Sequence, residues 1–399
     1  FVGWEGGAAG TESPIQGVIQ QDHPEVVGRF ARKIPVLSLS GGSIRRDFPK
    51  DDEELQAVTV LPVTLTADDT DSWQANSITF QASGSGDETE HVTAVELYHG
   101  QNKLSTGTYS ADNGTVTLNV GLVIPAGGTI TLHLRYAIDI NEHGGFLYDF
   151  NATTRTDLLA AEPENYETGT KTPQPPASVS GGPTRVGTVW NPDSEEAYGV
   201  IQDGIDAENT VDGHTLHVYA GTYPENVDVT KSLTIDSVDG RGAAHVQAPV
   251  ATDHAFDVTR DATTIRGFQI TGASGGGQAG VCVHGAITSC VVNECIIEFN
   301  HHGVYVHGGA GGTTIGDPGS ADGNWIDGNS GHGVYIAGPT TSHSLVRANR
   351  IGTKDGETAS WNDGDGVRIE DAPETDIRDN LISGNKGHGV HVTGTNAAD

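Results

Sequence analysis

Two rhythms of apolar residues divide the chain. From about residue 33 to residue 153, apolar and polar positions alternate in short runs: KIPVLSLS, LQAVTVLPVTLT, ANSITFQAS, HVTAVELYH, KLSTGTYS, GTVTLNV and GTITLHLRYAIDI. Alternation at period two puts every second side chain on one face of a strand. Turn sequences such as ADNG and PAGG separate the runs, and strands in such close succession predict an all-β, antiparallel, immunoglobulin-like sandwich. Pro62 falls inside one run, which predicts an edge strand or a bulge there, because proline cannot donate to a ladder.

From about residue 189 the rhythm changes to a repeat. Gly280-Val281-Cys282-Val283, Gly303-Val304-Tyr305-Val306, Gly333-Val334-Tyr335-Ile336, Gly366-Val367-Arg368-Ile369 and Gly389-Val390-His391-Val392 are one strand written five times. Asn324-Trp325-Ile326, Asn349-Arg350-Ile351 and Asn380-Leu381-Ile382 recur between them, with Gly-Asn at 328–329 and 384–385. The spacing wanders between 23 and 33 residues, as turns absorb insertions, and self-similarity at that period predicts a solenoid. Inward valine and isoleucine would stack as ladders. Glycine is expected at corners for its positive φ, and asparagine there for its tolerance of that conformation and its bonds to backbone. Ahead of the repeat, Val200, Ile201 and Ile205 fall on one helical face and predict a short capping helix.

Four segments follow: an N-terminal arm (1–32), the sandwich (33–153), a proline-rich linker (154–188) and a solenoid (189–399). In the arm, PIQGVIQ and PEVVGRF are candidate strands for pairing with a neighbour.

The stretch from Glu196 through Gly221-Thr222-Tyr223 to Glu225-Asn226 resembles the opening of right-handed parallel β-helices of the pectin-lyase-like superfamily, where a short helix plugs the first coil. The run NRIGTKDGETASWNDGDGVRIEDAPETDIRDNLISGNKGHGVHV is similar to a repeat class of secreted and cell-surface β-helix proteins. The sandwich region resembles modules of exported bacterial and archaeal surface proteins. These resemblances imply a right-handed parallel β-helix behind a sandwich, on a cell surface.

Charge narrows the partners. Fifty-three acidic residues face 21 basic ones, for a net charge of −32. Such a surface repels phosphate backbones, which argues against nucleic acid. It suits either a halophilic protein or an ordinary acidic exported one. No apolar run is long enough to predict a transmembrane segment. Methionine is absent even at position 1, so the expectation is a chain processed or excised from a longer one, with a β-helix incomplete at its C-terminal end. That open end and the arm predict a homo-oligomer or filament. Asn113 and Asn151 begin glycosylation acceptor patterns.

Candidate chemistry centres on two copies of Gly-His-Gly, at 331–333 and 387–389. Polygalacturonases carry this triplet at their catalytic centre, together with Asn-Thr-Asp, Asp-Asp and Arg-Ile-Lys motifs. In the repeat region the first two are missing, and Arg368-Ile369 is followed by Glu370. His302, His332, Asp365 and His388 occupy one recurring turn slot, so repeat punctuation is favoured over catalysis. As a row they are candidates for a transition metal or a pH response, although skipped coils and solvent exposure argue against it. Asp363, Asp365, Glu370 and Asp371, with Asp376 and Asp379 beyond them, form a candidate calcium cluster, and Asp68, Asp69 and Asp71 form a second. Cys282, Cys290 and Cys295 read as small residues buried in strands rather than as a zinc site. Tyr305 and Tyr335 fall at equivalent outward positions and are candidate glycan contacts. With no catalytic set complete, the favoured reading is an extracellular structural or adhesive surface protein. A polysaccharide hydrolase or lyase, or a glycan-gripping spike, is the alternative.

Overall fold

The computed structural model describes residues 3–6, 26–29, 34–42, 45–141, 144–165, 177–316, 323–353 and 358–396. The chain divides into two units, each assembled from separate stretches. The first takes residues 1–44, 56–138 and 150–183, and the second takes 45–55, 139–149 and 184–399.

The first unit is the expected sandwich. One antiparallel sheet runs in the order Leu37–Gly41, Val58–Ala67, Thr129–Ile138, Val92–His99 and Asn102–Gly107. The other is built on the long strand Trp73–Gly84. Thr115–Ile124 pairs along one side of it, and Leu159–Pro163 and residues 150–153 share the other. Alternate residues such as Leu65, Ile78, Phe80, Leu97, Leu132 and Leu134 point inward and are fully buried. Pro62 sits beside a bulge, as the register with Thr129–Ile138 skips Val60 and both Val60 and Leu61 are buried. It is not on an edge strand, yet Leu37–Gly41 stops opposite Val63, so the missing N–H costs no pairing on that side.

The stretch expected as a linker contributes strands. Leu159–Pro163 and Ser178–Ser180 join the sandwich, and Thr184–Gly187 pairs in parallel with Arg46–Pro49 in the second unit. These short strands bury few side chains, and backbone pairing leaves no apolar period to read. In the arm, Val26–Arg29 pairs antiparallel with Gly3–Gly6, while PIQGVIQ lies outside the described residues.

The second unit is a right-handed parallel β-helix. Its entrance is the helix Ile201–Asp206, which buries Ile201 and Ile205. Glu225 accepts the backbone N–H groups of Ile201 and Gln202, each at 2.9 Å, and so supplies the acceptors the helix start lacks. Three sheets follow, two of seven strands and one of nine that opens with two antiparallel strands. The third sheet stacks Val227–Val229, Phe256–Val258, Ala279–His284, His302–His307, Val334–Ala337, Val367–Glu370 and Val390–Thr393. Val281, Val304, Val334, Val367 and Val390 fall in register, and the first four are fully buried in one aliphatic core. Among the described residues no helix is long and apolar enough to cross a membrane.

The corners are held differently from expectation. Asn300, Asn329, Asn362 and Asn385 form a ladder between the second and third sheets. Asn329 Oδ1 accepts the Asn300 N–H at 3.0 Å, Asn362 Oδ1 accepts the Asn329 N–H at 3.2 Å, and Asn385 Oδ1 accepts from Asn362 Nδ2 at 2.8 Å. Asn324, Asn349 and Asn380 form a second ladder, with Cys295 below. At five of these seven asparagines the left-handed turn belongs to the residue before: Phe299, Gly328, Ala348, Asp379 and Gly384 carry positive φ. The glycines ahead of the inward valines are required for space instead. A Cβ on Gly303 would lie 2.4 Å from the Gly333 carbonyl oxygen, and one on Gly333 would lie 2.7 Å from that of Gly366.

Candidate functional site

With valine and isoleucine turned inward, the third sheet's outward positions align into columns, because parallel strands in register place equivalent residues about 4.8 Å apart. The middle column runs Asp257, Cys282, Tyr305, Tyr335, Arg368, His391. Beside it His284 faces His307, and Ala337 faces Glu370.

The corner column holds the Gly-His-Gly histidines, and it is a hydrogen-bond ladder. His302 Nδ1 accepts the His332 N–H at 3.1 Å, His332 Nδ1 accepts the Asp365 N–H at 2.9 Å, and Asp365 Oδ1 accepts the His388 N–H at 2.8 Å. Two coils before His302, His254 Nδ1 accepts the N–H of Ala279, the residue that fills the slot between them, at 3.0 Å. His302 and His332 sit on adjacent coils, their rings stacked at 5.3 Å and 3° from parallel, while the coil of Asp365 separates His332 from His388. The expected exposure holds for His388 only, since His302 is buried at 7% and His332 half-buried. An Nδ1 that accepts a backbone proton must be unprotonated, and the surroundings favour that state. Burial, reinforced by His301, His332 and His254, lowers His302 to about 3. Burial also lowers His332, against the pull of Asp365.

Tyr305 and Tyr335 stack at 4.8 Å, 6° from parallel, and the Tyr335 hydroxyl donates to Glu370 at 2.8 Å. Burial and that bond push Tyr335 up to about 12. The pair forms a short, half-buried platform flanked by His302 and His332.

The acidic residues near it do not converge. Asp365 is buried among His388 Nδ1 at 3.0 Å, His391 Nδ1 at 2.9 Å, and Arg368 at 3.6 Å. Burial opposes its charge, but the His388 N–H and the bonds from His391 and His388 outweigh that and hold it well below the usual carboxylate range. Asp363 pairs with Lys386, Glu370 with Arg368, and Asp371 accepts the N–H groups of Thr395 and Asn396. Asp376 and Asp379 pair with Arg378 and Arg347. Neighbours in sequence here turn to different faces, so the proposed calcium cluster is not brought together. In the sandwich, Asp68 binds Thr70, while buried Asp71 holds the N–H and Nδ2 of Asn165. Asn113 is exposed on a turn, and Asn151 is half-buried within a strand.

The three cysteines part company. Cys290 and Cys295 belong to the aliphatic core, as expected. Cys282 is buried as well but points outward, with Sγ 3.5 Å from His307 Nε2. Asp257, Cys282 and His284 bring ligand atoms within 4.8 Å of one another, as do Asp365, His388 and His391. Sequence reasoning missed the first group because Asp257 comes from the coil before the strand that carries Cys282 and His284. The alternation that turned Val281 and Val283 inward was the available signal.

Residues 244–399 match a family model described as a right handed beta helix region. Over 110 residues, 28% of this chain, the sequence is 30% identical to a protein named cell surface glycoprotein from Methanothermus fervidus, and the match spans 17% of that protein's length. Among solved structures, an alginate lyase from Paenibacillus sp. is 15% identical, covering 45% of this chain and 72% of that one, at a TM-score of 0.33. A family 28 exopolygalacturonase from Yersinia enterocolitica is 9% identical, covering 88% and 77%, at a TM-score of 0.22. Scores this low transfer neither activity nor site.

Proposed function

We propose that this chain is an extracellular surface protein whose β-helix is a structural scaffold with an adhesive, glycan-contacting face. One observation carries the choice of scaffold over enzyme: His332 spends Nδ1 on the Asp365 N–H of the next coil, as His302 does on the His332 N–H, and His388 Nδ1 is held by the Asp365 carboxylate. A hydrolase would keep such a group available for proton transfer. The partial identity with a cell surface glycoprotein supports the location, and an exposed Asn113 is compatible with glycosylation.

The adhesive part of the reading rests on the Tyr305–Tyr335 pair, where two stacked rings with hydroxyl-bearing edges offer a sugar a small amphipathic contact. The test pairs binding with turnover. Labelled acidic and neutral polysaccharides should be retained by the intact chain without release of new reducing ends or unsaturated products. Tyr305→Ala with Tyr335→Ala should weaken retention by roughly two- to tenfold, the scale of aromatic contacts. His332→Asn, which keeps an acceptor near Nδ1, should leave retention unchanged. Depolymerisation that disappears in His332→Asn overturns the scaffold reading. Retention that ignores both tyrosines overturns the adhesive face. Antibody or protease access on intact source cells tests the location.

A further inference from the structure

The other end of this sheet face carries a donor set that the surface reading does not use. Asp257, Cys282 with His284, and His307 come from three successive strands at outward positions. Cys282 Sγ lies 3.5 Å from His307 Nε2, and His284 Nε2 lies 2.7 Å from Asp257 Oδ1. Asp257 Oδ1 is buried, and apart from that contact with His284 it has no hydrogen-bond partner among the described residues. The His284 and His307 rings stack at 5.2 Å, 5° from parallel. Asp257, Cys282 and His284 keep their ligand atoms within 4.8 Å of each other.

We propose that Asp257, Cys282, His284 and His307 bind a divalent transition-metal ion of the zinc class and so tie three coils together. One thiolate, two imidazoles and a carboxylate are a donor set that a borderline-soft, tetrahedral ion takes, whereas calcium and magnesium prefer oxygen alone. Metal–ligand bonds of about 2.0–2.3 Å put donors roughly 3.3–3.8 Å apart, so the side chains rotate inward on binding, His307 included, which stands outside the 4.8 Å group and meets it at Cys282. Four protein ligands close the coordination shell, which makes the site structural. Burial pushes the Cys282 thiol up, so the metal displaces a proton from sulfur on binding. The second cluster is a poorer host, because the Arg368 guanidinium stands 3.6 Å from Asp365 and opposes a cation.

The experiment is cobalt(II) titration of the full chain after treatment with a chelator under reducing conditions. The expected result is one cobalt per chain, a near-ultraviolet thiolate-to-cobalt charge-transfer band, displacement by zinc, and a melting temperature that rises with zinc and returns with chelator. Cys282→Ser should abolish the band. Asp257→Asn and His307→Gln should each weaken binding by more than about 100-fold, beyond the cost of losing an outer-shell partner. Cys290→Ala and His391→Gln should leave the band intact. If Cys282→Ser fails to fold by circular dichroism, Asp257→Asn and His307→Gln decide alone. No cobalt bound at millimolar concentration overturns the proposal, as does binding without the thiolate band or a band that survives in Cys282→Ser.

Discussion

The sandwich and the β-helix solve the same problem, satisfying polar groups on strands, in opposite ways. In the sandwich, antiparallel pairing sets unlike positions opposite one another. Its polar contacts are isolated pairs such as Thr64–Thr131, Thr66–Thr129 and Thr79–Thr117. In the β-helix, parallel stacking sets each position on its own equivalent. A residue type that suits one coil then repeats as a column: asparagines at two corners, histidines and Asp365 at one of them, tyrosines on the face. A lost member of a pair costs one contact, but a lost member of a column strands partners above and below it.

The largest expected consequence of that difference is at Asn329. Its amide donates to the carbonyls of Ile297 and Asp327 and to Asn362 Oδ1, and accepts the Asn300 N–H. Asn329→Ala should cost roughly 3–4 kcal/mol, since several buried groups lose their partners together, as read by denaturant unfolding of the β-helix.

Acid should separate the two units next. His302 is lowered to about 3 from an ordinary 6.5, and His332 and His307 are lowered too. Between about pH 6.5 and 3 the unfolded chain binds a proton at His302 and the folded chain does not, so stability falls as pH falls through that window. The depressed Asp365 adds a further loss as pH drops through the ordinary carboxylate range and below. Hydrogen exchange across pH 7 to 4 should show protection lost first around residues 302–388. His302→Asn, which cannot take up a proton, should flatten the dependence. An equal loss in the sandwich would break the comparison.

A third effect is steric. Gly333→Ala should cost about 1–3 kcal/mol, because the new methyl meets Gly366 O and Ile351 at 2.7 Å in a core with no slack. Had left-handed φ been the reason for this glycine, Asn would rescue the position; it should instead be worse than Ala. The smallest effect belongs to the sandwich. Thr79→Val should change stability by about 0.2–1 kcal/mol, the scale of one cross-strand pair on an exposed face.

Much of this architecture was legible in the chain. Alternation marked the sandwich strands, and the Gly-x-Gly-Val and Asn-x-Ile repeats marked the coils, because side-chain period is a local property that packing must respect. The helix at Ile201 and Ile205 was readable for the same reason. The strands of residues 154–188 were not, since edge pairing by backbone leaves no apolar signature.

Sequence by itself therefore determined which residues turn inward and which position each holds within a coil. Only the tertiary structure decided which outward residues meet. Coil length varies from 23 to 33 residues, so the register that brings Asp257 to His284 and Cys282 to His307, or Asp365 to His391, is set by stacking rather than by spacing along the chain. It also decided why a glycine or an asparagine is needed: a carbonyl of the next coil at 2.4 Å, or a backbone N–H arriving from the coil below, exists only once the coils have closed on one another.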